Sequence, residues 1–222
     1  MMLCFFCRNG RTLRTMDVFS SILEMTGVLA FAVSGALVGI RSKMDLFGVT
    51  ALGVVTALGG GVVRDVVLGI VPPAAFQNPA QVLAAIGVSI LVFLPFVRQR
   101  IERRSALFDT VLLVADSLGL GIFTVHGLRT AVAAGFDGNL FLLLFVALIT
   151  GVGGGVLRDL LAGQRPYIFV RHIYACASIA GALLCAGLSR VCGMQAAMAL
   201  GCASVVLLRL SSARYRWNLP RA

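Results

Sequence analysis

Two short stretches concentrate the residues of this chain that could carry chemistry, Gly59-Gly60-Gly61-Val62-Val63-Arg64-Asp65 and Gly153-Gly154-Gly155-Val156-Leu157-Arg158-Asp159. Each sets a guanidinium and a carboxylate inside an apolar run, where a charge is costly unless it is paired or hydrated and where such residues commonly line an ion or solute path. Adjacent helical residues point about 100° apart, so the spacing predicts that Arg64 and Asp65, and likewise Arg158 and Asp159, each find a partner elsewhere. Three glycines in succession remove side-chain packing for most of a turn and lower the cost of unwinding the backbone, so a broken or kinked helix is expected there. Two plainer uses stay open: close packing of helices, which Gly35-x-x-x-Gly39 also suits, and buried salt bridges that only hold the fold.

Other reactive residues say less. Ser34 and His126 occupy corresponding positions in two similar stretches; they are candidate polar linings of a path, and as nucleophile and base they would suit an intramembrane hydrolase. A Ser bonded back to its own helix and a His capping a carbonyl are the plainer alternatives. Cys4-x-x-Cys7 has redox or metal spacing but neither a second pair nor a nearby His, so no metal is expected. Cys176, Cys185, Cys192 and Cys202 fall in apolar segments and read as small packed hydrophobes.

The elements that must position these groups are membrane helices. Of 222 residues 59% are hydrophobic, 13% are charged and 25 are glycine, and the mean hydropathy is +0.97, which excludes an ordinary soluble domain. The net charge of +10 punctuates the apolar runs instead of forming a face, so nucleic acid is not an expected partner. A span needs about 20 apolar residues. Seven stretches qualify, Val18 to Ile40, Leu46 to Ile70, Ala80 to Val97, Ala106 to Leu128, Asn139 to Ala162, Ile173 to Ser189 and Val191 to Leu208. Barrel strands would alternate in polarity, and these runs do not.

The halves repeat. Arg64 and Arg158, Gly69 and Gly163, and Pro72 and Pro166 are each 94 residues apart, while Phe31-Ala32-Val33-Ser34-Gly35 aligns with Phe123-Thr124-Val125-His126-Gly127 at 92. A unit of three spans must re-enter inverted, so the sequence predicts a 3+3 inverted repeat with a seventh helix appended. The organisation is a leader (1–16), a first repeat (17–97), a basic loop (98–105), the inverted repeat (106–190), the seventh helix (191–210) and a basic tail (211–222). Arg41, Lys43, Arg98, Arg100, Arg103, Arg104, Arg165, Arg171, Arg209, Arg214, Arg216 and Arg221 fall on one side, twelve bases against five (Arg8, Arg11, Arg14, Arg129 and Arg190) on the other. Bases stay cytoplasmic, so the N-terminus is expected outside and the C-terminus inside. Three arginines before the first span pull the other way, a conflict removed if translation starts at Met16 and the leader is dispensable.

The doubled Gly-Gly-Gly-x-x-Arg-Asp motif, Phe-Ala-x-Ser-Gly in the first span and the inverted repeat resemble bacterial members of the trimeric intracellular cation channel (TRIC) family, sequences also described as glycine transporters. The resemblance covers about residues 17 to 208. It implies an all-α homotrimer in the bacterial cell membrane, with membrane lipids around it and no enzymatic activity. It also implies one pore per subunit for monovalent cations, chiefly potassium with sodium, and no bound cofactor. Carried onto this chain, the pore kinks are Gly59, Gly60, Gly61, Gly153, Gly154 and Gly155, and the intramembrane charges are Arg64, Asp65, Arg158 and Asp159. The competing implication is a secondary transporter of glycine or another small neutral solute.

Overall fold

The computed structural model describes residues 3–102, 105–170, 173–215 and 217. Side-chain placements for the Cys4/Cys7 pair, Arg8, Arg11, Arg14, Met16, Arg100, Arg103, Arg104, Arg171, Arg216 and Arg221 lie outside what is described. Among the described residues every regular element is a helix: α1 (Leu3–Arg41), α2 (Leu46–Val67), α3 (Ala74–Gln77), α4 (Pro79–Phe93), α5 (Pro95–Glu102), α6 (Ser105–Ala133), α7 (Leu140–Leu161), α8 (Tyr167–Val170), α9 (Tyr174–Ser189) and α10 (Met194–Tyr215).

Among the described residues five segments are long and apolar enough to cross a membrane: Val18–Arg41 of α1, α2, Ala106–Ala133 of α6, α7 and α10. The helices α4 and α9 are apolar but shorter. For α4 this departs from the run expected to Val97. Leu94 takes an extended conformation (ψ 138°) ahead of Pro95, as the residue before proline must to avoid its ring, and the chain restarts as α5. At 15 residues α4 is about 22 Å long, less than the hydrocarbon thickness. The last helix also differs from expectation. It begins at Met194, after a turn that holds Cys192, and continues to Tyr215. Cys185 is buried as expected and Cys202 partly so, whereas Cys176 and Cys192 are exposed.

The repeat is visible in local chemistry. Asp45 caps α2 by accepting from the Gly48 N–H at 2.7 Å, and Asn139 caps α7 by accepting from the Leu142 N–H at 3.0 Å; short polar acceptors are what a helix start requires. Both helices end in a left-handed glycine, Gly69 (φ +72°) and Gly163 (φ +67°), followed by backbone bonds from Ile70 N–H to Asp65 O and from Gln164 N–H to Asp159 O, both 2.8 Å. A glycine there reverses the chain without a Cβ clash and satisfies the last carbonyls. The helices α1 and α6 pack against each other, with Phe31 and Phe123 rings 5.2 Å apart. Around them α2 packs on α7, α4 lies on α1 and α2, and α10 closes against α9 and α6.

Candidate functional site

The glycine triplets sit where α2 crosses α7. Of the broken or kinked helix expected there, the break is not formed: both helices stay α-helical through the triplets, because in an apolar surround an intact backbone ladder is worth more than the freedom glycine offers. The glycines bring backbones together instead. A Cβ on Gly60 would collide with the Thr150 carbonyl, and one on Gly154 with that of Thr56. Thr56 and Thr150 are themselves repeat equivalents, each bonded back to its own helix (Leu52 O and Val146 O, both 2.6 Å).

The charged motif residues lie in the last turns of α2 and α7, and they correct a second expectation. Arg64 Nε donates to Asp65 Oδ1 at 2.8 Å, and Arg158 Nε donates to Asp159 Oδ1 at 2.8 Å, so each arginine does pair with its neighbour. A guanidinium on three methylenes can fold back along the helix, and the 100° offset between adjacent residues does not keep it from the next side chain. The other carboxylate oxygen reaches forward into the loop: Asp65 Oδ2 accepts from Ala74 N–H (2.8 Å) and Asp159 Oδ2 from Tyr167 N–H (2.9 Å). Each aspartate thus ties the chain after its helix back to the arginine.

Beyond this shared unit the halves diverge. Arg158 is fully buried and also donates through Nη1 to Asp116 Oδ1 at 2.7 Å and to Ser34 Oγ at 2.5 Å. Asp116 takes a second cation on its other oxygen, Arg209 Nη2 at 3.5 Å, and Arg209 lies over the Tyr174 ring at 4.5 Å from its centroid. Five helices, α1, α6, α7, α9 and α10, are therefore joined at one buried cluster in which two arginines face two aspartates. At the other end of the bundle Arg64 is also buried, and its carboxylate partner is Asp65, while its Nη1 has no hydrogen-bond partner among the described residues. Near it His126 lies between Ser20 Oγ (3.3 Å from Nδ1) and Glu24 Oε1 (3.4 Å from Nε2).

Ser34 and His126 thus stand in different clusters at opposite ends, and the expected Ser34–His126 pair is not formed: Ser34 bonds Arg158, and the serine beside His126 is Ser20. Sequence reasoning missed Glu24, Asp116 and Tyr174 as members of these clusters. A signal existed for the first two, since they are acids inside apolar runs 92 residues apart. Arg209, which spacing assigns to the cytoplasmic bases, is 3% exposed and belongs to the buried cluster instead, leaving eleven on that side.

The fold and its two end clusters define an inverted-repeat helical membrane protein with a buried Arg-Asp unit in each half. A family profile described as "Glycine transporter" matches residues 21–96 and 113–190. The chain is 41% identical over 162 residues to a UPF0126 membrane protein of Deinococcus radiodurans, covering 72% of each. It is 36% identical over 200 residues to the UPF0126 inner membrane protein YadS of Escherichia coli K12, covering 89% of this chain and 93% of that one. Among solved structures it is similar to a prokaryotic TRIC channel (TM-score 0.83, 29% identity, 91% and 100% covered). It is also similar to the TRIC trimeric intracellular cation channel orthologue from Rhodobacter sphaeroides (TM-score 0.78, 34% identity, 89% and 98% covered). The chain belongs to the UPF0126 family, which the profile describes as glycine transporters, and is a bacterial member of the TRIC family.

Proposed function

We propose that this protein is a monovalent-cation channel of the bacterial inner membrane, permeable to potassium and sodium, with one pore in each subunit of a homotrimer. The observation that carries the reading is the arrangement around the α2–α7 crossing: two helices touch at their triple glycines, and a buried charged cluster stands at each end of the bundle. In this reading the glycine crossing is the constriction, and the guanidinium groups are held by carboxylates so that they do not repel the permeant ion. Likeness to solved TRIC cation channels at 29% to 34% identity supports it. The chain crosses the membrane seven times, α4 and α9 included, with its C-terminus cytoplasmic and lipids packed on its outer face.

A carrier for glycine is the second reading, favoured by the family description. Carriers built on inverted repeats place the ends of broken helices at the midplane, and the unbroken α2 and α7 offer none there. Single-channel recording of the purified protein in a planar bilayer decides. Unitary potassium currents above about a million ions per second are expected, too fast for a cycle of conformational steps; coupled glycine uptake without unitary currents would replace the channel reading.

A further inference from the structure

The third helices of the two halves differ in what they leave open. The buried residues Gln81, Ala85, Ser89 and Val92 of α4 recur 93 residues on as Tyr174, Ser178, Ala182 and Cys185 of α9, so Phe93 corresponds to Ala186. In the first half Phe93 packs against the core that holds Val49 and Val92. In the second half the matching core, with Leu143 and Cys185, has only the methyl group of Ala186 at that place. Beside it the bundle opens into a cavity of about 490 Å³, within the size range of ligand sites.

The cavity has two kinds of wall. Leu128 of α6, Leu143 of α7 and Leu183 of α9 line it within the helices, while Asp137 of the α6–α7 loop and Arg190 at the end of α9 line it where those helices stop. Leu183 is six residues before the last residue of α9, Ser189, which gives about 9 Å of apolar depth. Neither the Asp137 nor the Arg190 side chain has a hydrogen bond or ion pair among the described residues. Two opposite charges that share a cavity without pairing can take the two ends of a zwitterion, and the apolar wall beneath them can take a hydrocarbon chain.

We propose that this cavity is a binding site for one phospholipid with a primary-amine headgroup, its phosphate on Arg190, its ammonium on Asp137 and an acyl chain along Leu128, Leu143 and Leu183. The rim carries one charge of each sign, so Asp137 repels a purely anionic headgroup. A primary ammonium donates hydrogen bonds to that carboxylate, which a quaternary one cannot do. The helix ends that frame the cavity lie on the side that the distribution of bases places outside, so the rim stands among lipid headgroups and the leucines face hydrocarbon. Bound there, the lipid does for α6, α7 and α9 what Phe93 does for α1, α2 and α4. The site does not depend on the channel reading.

Thermal melting of lipid-stripped protein in detergent, titrated with phosphatidylethanolamine, phosphatidylcholine or phosphatidylglycerol of the same acyl chains, tests this. Phosphatidylethanolamine should raise the melting temperature by about 5 °C and saturate, with one lipid per subunit counted by native mass spectrometry. Arg190→Gln and Asp137→Asn, both on the exposed rim, should each raise the half-saturating concentration about tenfold, the effect of one lost charge-assisted bond. The other two lipids should be weaker on the parent by a similar factor. Ala186→Phe copies the first half; it should abolish the response and melt no lower than the lipid-free parent. If it fails to assemble, the two rim variants decide. Equal responses to the three lipids, or a response that survives both rim variants, overturn the site. Stabilisation by free glycine in place of lipid overturns it too, in favour of a solute site. So does the absence of any lipid response, and if Asp137→Lys then breaks the trimer, the cavity belongs to a second copy of the chain.

Discussion

Arg158 and Arg64 have the same neighbour in sequence and different importance in the fold. Arg158 neutralises Asp116 and Asp159 and bonds Ser34, tying α7 to α1 and α6. Alanine there takes the guanidinium from two buried carboxylates at once, leaving Asp116 only Arg209 at 3.5 Å and Asp159 only its bond from Tyr167 N–H, and removing one partner of a buried pair costs about 3–5 kcal/mol. Arg158→Ala should therefore fail to assemble or melt far below the parent. Arg64→Ala takes the guanidinium from one carboxylate, Asp65, and breaks no bond to a second acid or to another helix, so its loss should be distinctly smaller. Arg158→Lys should fall between parent and alanine, since an ammonium restores charge but cannot reach Asp116, Asp159 and Ser34 with separate planar donors. Melting curves of the three variants check the order, and equal losses at Arg64 and Arg158 would contradict the asymmetry of the clusters.

For the helices, the intact ladders of α2 and α7 change what the glycine triplets are for. A break would have made them matter to the path more than to folding. A close crossing makes them matter to both, because a side chain at Gly60 or Gly154 meets a carbonyl of the opposite helix. Leu at either site should cost about 1–3 kcal/mol by overpacking, or more if the crossing cannot open. It should lower potassium flux in the protein that still assembles. A Cβ added at Gly87 or Gly187 would have no neighbour within 4 Å, so Ala at those sites serves as the control and should melt and conduct like the parent. Unchanged flux and melting in Gly60→Leu/Gly154→Leu would remove the crossing from the mechanism.

Across the whole molecule, transferring Arg209 from the surface to the buried cluster leaves eleven bases against five, so the expected orientation survives the correction. A reporter fused after Ala222 should be active only in the form that works in the cytoplasm, and crosslinking in native membranes should stop at a trimer. A reporter active only on export would invert the topology.

What could be learned from sequence alone is what depends on composition and spacing. Hydropathy requires helices in a bilayer, and the 94- and 92-residue offsets of Arg64 with Arg158 and Phe31 with Phe123 require an internal repeat. The family followed from the same residues, since the doubled motif is local and specific. The partners of the charged groups did not follow. Whether Arg64 reaches forward to another helix or folds back onto Asp65 depends on rotamers, and the meeting of Asp116 with Arg158 and Arg209 depends on helices up to 93 residues apart in the chain. Nor could spacing tell a glycine break from a glycine crossing. Both satisfy the same local preference, and the choice falls to whichever neighbouring backbone lies against it, here the carbonyls of Thr150 and Thr56. Only tertiary structure places those neighbours, because in lipid the helix ends, the buried charges and the close contacts must all be satisfied by other parts of the same protein.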